Sequence, residues 1–267
     1  MSSVAGRAAL VTGAGSGIGA AIAAALVRAG ARVCLVGRRA EALEATLATL
    51  PAGSAVACPG DVSIESDVAR MVECAAGLGG DRLHILVNNA GVPINGTIET
   101  ASIEEWRRAL DVNLTGPMLV TRSALPAMRA AGGAAVINVS SVAALVGNPG
   151  ITPYSVSKAA LLALTRQCAI DFGGDGIRVN AVCPGWVRTE LSELQMDMLA
   201  ARRGGDREEA FRAVSAHQPI RRVADPSEVA DAVVFLASDA AAYISGTVLP
   251  IDGGSSAVGP LGEMLGG

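Results

Sequence analysis

The sequence predicts an α/β fold, a mostly parallel seven-stranded sheet held between two layers of helices in a single domain. Short apolar runs of strand length alternate with longer runs of helical period as far as about residue 254, with no repeat period. The first strand passes into the first helix through a cluster of glycines, the arrangement an open parallel sheet uses at its carboxyl edge. A chain of 267 residues, 51% hydrophobic and 17% charged, can bury one sizeable core but has no length for a large second domain. Its 32 glycines, in so apolar a chain, mark tight turns and not disorder.

The first strand is read over residues 7–12 and the first helix over 18–28, rich in Ala, Ile and Leu and closed by Gly30. Between them runs Thr12-Gly13-Ala14-Gly15-Ser16-Gly17-Ile18-Gly19. Ile18 takes the last glycine position of the G-x-G-x-x-G dinucleotide fingerprint, so the spacing becomes G-x-x-x-G-x-G. The physical logic survives. Glycines let backbone approach a pyrophosphate and let helix pack on strand, and the helix N-terminus favours anionic charge. An ordinary glycine-rich turn is the alternative, but the position between first strand and first helix is the one a cofactor site needs.

The second strand, 32–36, ends in Gly37-Arg38-Arg39. A carboxylate here would hold the ribose diol of NAD, whereas an arginine accommodates a 2′-phosphate through a bidentate contact and can stack on adenine. The residues favour NADP(H). NAD(H) stays open if Arg38 and Arg39 are solvated charges at a helix start. A helix over 41–50, a strand over 54–58 and the turn Gly60-Asp61-Val62 follow, with Asp61 also legible as a turn or capping aspartate. An amphipathic helix over 66–77 leads to a fourth strand, 83–87, feeding Asn88-Asn89-Ala90-Gly91. There the carboxamides can clamp neighbouring strands, and small residues admit a cofactor. His84, at that strand's start, reads as structural.

Residues 103–131 are read as one long helix kinked at Pro117 and Pro126, with Asn113 legible as a buried polar residue bridging helices. Strands follow at 134–139 and 176–183, the second leading into Pro184-Gly185. The segment 190–219 is the least regular, with Gly204-Gly205-Asp206 separating two short helices. An insertion at the ligand-bearing edge reads as a substrate lid. Trp186, Leu194, Met196 and Met198 are candidates for an apolar pocket wall. Arg202, Arg203, Arg207 and Arg212 read as a solvated face, with one of them meeting an anionic substrate as the alternative. A helix over 226–238, a strand and turn over 246–254 and a Gly-rich tail over 255–267 complete the chain.

A net charge of −4 without a basic stripe argues against a nucleic-acid partner. The chain shows neither a leader pattern nor eighteen uninterrupted apolar residues, so no membrane partner is expected. Cys34, Cys58, Cys74, Cys168 and Cys183 are scattered singly with no C-x-x-C spacing. They read as reduced, buried thiols of a cytoplasmic protein, with no metal site.

The chemistry is concentrated between Ser141 and Lys158. Pro153 suits a helix's first turn and an apolar run follows, so Tyr154 and Lys158, four residues apart, share one helix face. Using a phenol as acid or base near neutrality needs a displacement worth about 4 kcal/mol. An ammonium at about 4 Å supplies roughly that much at an effective dielectric near 20, and about a quarter of it in bulk water. Such a pair works only in a shielded cleft. Ser141, at the carboxyl end of the 134–139 strand, is placed to bind a substrate oxygen.

Ser140-Ser141, Tyr154-x-x-x-Lys158, Asn88-Asn89-Ala90-Gly91 and the glycine-rich start together resemble the short-chain dehydrogenase/reductase family from about Gly6 to Gly254. The resemblance implies a Rossmann-type doubly wound domain over residues 1–254 and a catalytic set of Asn113, Ser141, Tyr154 and Lys158. Asn113 would stand in a distorted helix whose main-chain carbonyl holds a water near Lys158. The implied cofactor contacts are Gly13, Ser16, Gly17, Ile18 and Gly19 at the pyrophosphate and Arg38, Arg39, Asp61 and Val62 around the adenosine. Asn89, Ala90 and Gly91 fall beside the ribose, Tyr154 and Lys158 next to it, and Pro184, Gly185, Val187 and Thr189 at the nicotinamide. Also implied are hydride transfer between NADP(H) and a small carbonyl or secondary-alcohol substrate with Tyr154 as general acid/base, as in reduction of a ketone or 3-oxoacyl compound, with an NAD-dependent secondary alcohol dehydrogenase as the alternative within the family, and assembly as a homotetramer or homodimer. Enoyl reductases of related fold space their Tyr and Lys further apart, so the four-residue spacing here favours C=O over C=C chemistry. A catalytically silent NADP(H)-binding regulator is the alternative of another class.

Overall fold

The computed structural model describes residues 4–216 and 218–258. Seven strands form one sheet: β1 (Ala8–Thr12), β2 (Arg32–Gly37), β3 (Ala55–Pro59), β4 (Ile85–Asn88), β5 (Ala134–Val139), β6 (Ile177–Pro184) and β7 (Val248–Ile251). Their order is β3-β2-β1-β4-β5-β6-β7, and every pairing is parallel. The chain winds outward from β1 to β3, then restarts at β4 on the other side of β1. A crevice therefore opens at the carboxyl ends of β1 and β4, where the direction of winding reverses.

Side-chain alternation along the strands builds two cores. Ala9 and Val11 of β1 and Ile85 and Val87 of β4 face the layer of α1 (Gly17–Arg28), α2 (Ala40–Ala48) and α9 (Pro226–Ala237). Leu10 and Leu86 face the other layer, α3 (Glu65–Gly77) and α5 (Gly116–Ala130), with the end of α6 (Thr152–Phe172). Strands buried on both faces read as unbroken apolar runs, which is why the sequence displayed them so clearly. No described helix is long and apolar enough to cross a membrane.

Residues 246–254, read as a strand and turn, hold β7 and the turn after it. The helix expected over 103–131 breaks into α4 (Ile103–Leu110), a π-helical turn (Asp111–Thr115) and α5, and the break precedes both prolines. Pro117 occupies the first turn of α5, where no N–H is needed, and Pro126 sits inside it. The widened turn has its own causes. The Gly116 N–H bonds to Asp111 O, and Gly116 packs so closely on Val62 that a Cβ would lie 2.8 Å from its Cγ2.

Candidate active site

The glycine loop is shaped by contact. A Cβ on Gly19 would lie 2.1 Å from Gly13 O and 2.5 Å from Asn89 Nδ2, so only hydrogen fits there. Asn89 Nδ2 donates to Thr12 O at 2.9 Å and Gly13 O at 3.2 Å, while Thr12 Oγ1 accepts from the N–H groups of Asn89 and Ala90 at 3.0 Å each. Asn88 Nδ2 reaches Asn138 Oδ1 at 2.9 Å. The two carboxamides thus clamp β4 to β1 and to β5, as their place in the sequence suggested. Ser16 precedes α1 without using its hydroxyl as a cap, leaving that oxygen beside the helix's unpaired N–H groups.

A cavity of about 320 Å³ over this loop is lined by Gly13, Ser16, Gly17, Arg38, Arg39 and Asp61, among others. Arg38 and Arg39 are exposed and have no acidic partner among the described residues. Asp61 does not neutralise them: its Oδ1 accepts from the Ser63 N–H at 2.9 Å and donor hydroxyl at 2.7 Å, the turn role that was the alternative in the sequence. Val62, Ala90 and Gly91 line the same cavity.

A second cavity of about 500 Å³ adjoins it, sharing Ile18, Asn89, Gly91, Val92, Thr189 and Leu191. Ser141, Tyr154, Lys158, Pro184, Gly185 and Val187 meet there. Asn113 is fully buried behind them. Its Oδ1 accepts from the Val92 N–H at 2.8 Å, and its Nδ2 donates to Val92 O and to Ser157 Oγ, each at 3.0 Å. Ser157 Oγ donates to Tyr154 O at 2.7 Å, and Ser140 Oγ to Lys158 O at 2.9 Å. Ser157 was not singled out from sequence, although it adjoins Lys158, and Ser140 entered only as a member of the Ser140-Ser141 pair.

Lys158 Nζ donates to Val139 O at 2.8 Å and lies 5.9 Å from the Tyr154 ring centroid. Burial brings the ammonium down to about 8. Burial pushes the Tyr154 phenol above its ordinary value, against the pull of hydrogen bonding to Ser141. Ser141 Oγ also accepts from the Ala143 N–H at 3.1 Å, which fixes the hydroxyl at the mouth of a short turn.

The residues present fit a dinucleotide. Val187 is 5% exposed, and the pairing of its neighbours with Ala224 leaves its own N–H and C=O without a partner among the described residues. Such groups await a donor and acceptor like a carboxamide. The free Ser16 hydroxyl, the α1 N-terminus and two unpaired guanidiniums supply the donors that phosphates require. Thr189 lines both cavities while its hydroxyl caps α7 (Glu190–Arg203).

A family model described as enoyl-(acyl carrier protein) reductase matches residues 13–256. Cis-4-hydroxycyclohexanecarboxylate dehydrogenase of Sinomonas cyclohexanicum is 41% identical over 256 residues, 94% of this chain and 97% of that protein. A short-chain type dehydrogenase/reductase from Mycobacterium ulcerans superposes with a TM-score of 0.86 at 35% identity, covering 98% of this chain and 95% of that one. This chain belongs to the short-chain dehydrogenase/reductase family. L-sorbose reductase from Gluconobacter frateurii, complexed with NADPH and L-sorbose, has a TM-score of 0.91 at 33% identity, over 96% of this chain and 98% of that one. As a short-chain dehydrogenase/reductase, the protein is an NAD(P)-dependent enzyme acting on CH–OH or C=O groups.

Around this dehydrogenase/reductase site, the apolar wall differs from expectation. Trp186 lines the large cavity, but Leu191, Ser192 and Gln195 join it in place of Leu194, Met196 and Met198. Met196 turns to Ala210 and Phe211 of α8 (Arg207–Ser215), and Leu194 and Met198 are exposed. The helix phase was not legible because α7 carries apolar residues on several faces. Arg202, Arg203, Arg207 and Arg212 are all exposed, as expected of a solvated face, and on that surface Arg207 grips Asp197 at 2.7 and 2.8 Å, while Arg188 grips Glu208 and lies 4.3 Å over the Phe211 ring. Both pairs tie α8 to the cavity edge. Finally, three cysteines far apart in sequence converge, with the Sγ atoms of Cys34, Cys58 and Cys74 within 4.8 Å of one another.

Proposed function

We propose that the enzyme reduces an uncharged ketone to a secondary alcohol with NADPH, Tyr154 giving the proton. The observation that carries this reading is the composition of the large cavity: Lys158 is its sole charged lining residue among those described, and carboxamides (Asn95, Asn148, Gln195) stand among apolar side chains. A carboxylate, sulfonate or phosphate on the substrate would meet no guanidinium there. Hydroxyl or carbonyl oxygens beside the reacting carbon would meet amides.

Arg38 and Arg39, free of acidic partners, support NADP(H) over NAD(H). When bound, the nicotinamide supplies a hydride to the carbonyl carbon. Ser141 donates a hydrogen bond to the substrate oxygen, and Tyr154 hands that oxygen a proton. A phenol raised by burial stays protonated at neutral pH, which is the form that reduction consumes. Lys158 holds the ribose hydroxyls. Asn113 steadies Gly91 and Val92 beside it, and Pro117, having no N–H, cannot close a helical bond onto Asn113 O, so that carbonyl is available to a water of the proton relay. The spacing of Tyr154 and Lys158 supports carbonyl chemistry over the enoyl reduction named by the family model. Helices α7 and α8 form the lid.

Purified protein with NADPH or NADH and a panel of cyclic ketones, hydroxyketones, keto acids and acyl thioesters tests the reading. Oxidation of NADPH by the neutral ketones and hydroxyketones is expected. Faster turnover of the keto acids would overturn the substrate class, and faster turnover with NADH the cofactor.

A further inference from the structure

In the core between the sheet and α3, β2, β3 and α3 each contribute one thiol to a common point. Cys34 is fully buried, Cys58 is 5% exposed and Cys74 is half-buried, giving the group one side toward solvent. Their sulfurs all lie within 4.8 Å of one another, and no His, Asp or Glu ligand atom completes the group. No other such cluster of potential ligands occurs among the described residues.

Three features separate this arrangement from incidental core thiols. First, sulfurs bound to one ion at about 2.3 Å stand roughly 4 Å apart, so the three need shift by less than about 1 Å to share it. Second, the Arg70 guanidinium donates to Cys58 Sγ at 3.4 Å and to Pro59 O at 2.7 Å, with Asp67 anchoring its other arm at 2.7 Å. A fixed cation at a thiol in otherwise apolar surroundings favours the thiolate, the form a metal takes. Third, the strand register works against a disulfide between the sheet cysteines. Cys34 lies opposite Val56, so Cys58 stands two residues further along, a Cα separation of about 8 Å by strand geometry. That exceeds the reach of a disulfide without backbone movement.

We propose that Cys34, Cys58 and Cys74 form a three-sulfur site for one soft, thiophilic metal ion, distinct from the catalytic cleft. Thiolates select soft cations, and three sulfurs without a fourth protein ligand suit low coordination better than a closed four-ligand zinc site. Binding releases the thiol protons and forms three metal–sulfur bonds with no change of oxidation state. The Arg70 guanidinium, shared between Cys58 and Asp67, offsets part of the negative charge that three thiolates bring to a divalent ion.

Titration of the reduced full-length enzyme with Cd(II), followed by sulfur-to-metal charge-transfer absorbance in the ultraviolet, tests the site. One equivalent per chain is expected, with the signal retained in the Cys168→Ser/Cys183→Ser double variant. Cys74→Ala, at a half-buried position that tolerates truncation, and Cys58→Ala should each weaken binding by at least about tenfold, since loss of a direct ligand costs no less than loss of an outer-sphere partner. NADPH binding by Cys74→Ala reports that the variant is folded. Unchanged Cd(II) affinity in folded Cys74→Ala, or loss of the signal in the double variant, would overturn the assignment.

Discussion

The Nζ of Lys158 sits 5.9 Å from the centre of the Tyr154 ring, yet its hydrogen bond runs to Val139 O at 2.8 Å. One turn of α6 therefore presents a buried cation and a half-buried phenol that share a cleft without sharing a proton. The ammonium is brought down to about 8 by burial, and the phenol is pushed up by the same burial. The consequences of that pairing can be measured.

Tyr154→Phe keeps the ring and removes the proton. Turnover should fall by about 10²- to 10⁴-fold, while NADPH affinity, read by fluorescence titration, stays within about twofold. Retained turnover would remove Tyr154 from proton transfer.

Lys158 carries a stability cost with a definite pH dependence. Its folded value near 8 lies below the 10.5 of the free side chain, so between those values the unfolded chain binds more protons and stability rises with pH. Below about pH 8 both states are protonated and the full cost, on the order of 3 kcal/mol, is present. Lys158→Met should therefore be inactive but more stable at pH 7 in urea denaturation, with the gain shrinking as pH rises from 8 to 10.5. A gain that is constant with pH would contradict this account.

Arg38→Asp should invert cofactor choice. A lost charge-assisted bond to phosphate is worth about 1.5–3 kcal/mol, so kcat/KM with NADPH should drop roughly tenfold to a hundredfold while that with NADH holds or rises. Parallel changes with both cofactors would remove Arg38 from the choice.

Asn113→Ala should destabilise the fold by about 2–4 kcal/mol in chemical denaturation, because the buried N–H and C=O of Val92 both lose their partner. Asn113→Asp can still accept from Val92 N–H but cannot donate to Val92 O and Ser157 while ionised. It should recover little of that stability at pH 7 and more at pH 4. Equal stability of both variants across this range would mean that hydrogen bonding by Asn113 is not what holds the Val92 loop.

The sheet and its helices were legible because the central strands, such as β1 and β4, are buried on both faces and announce themselves as apolar runs, and because glycine marks the turns, as at Gly13 and Gly30. Tyr154, Lys158, Ser141 and Asn113 were legible because short local motifs carry them. The phase of α7 was not: nothing in its composition says that Gln195 faces the cavity while Met196 packs on Phe211.

By itself the sequence determined the alternation of elements, the glycine-lined helix start and the identity of the groups available for chemistry, all set by local backbone preference and hydrophobic period. Tertiary structure alone decided the rest. It brought Asn113 within reach of Val92 and Ser157, turned Lys158 toward Val139 and raised Tyr154 by burial. It also gathered Cys34, Cys58 and Cys74 at one point. The reason is that contact between residues remote along the chain, and the exclusion of water that shifts their proton affinities, exist only once the layers have packed.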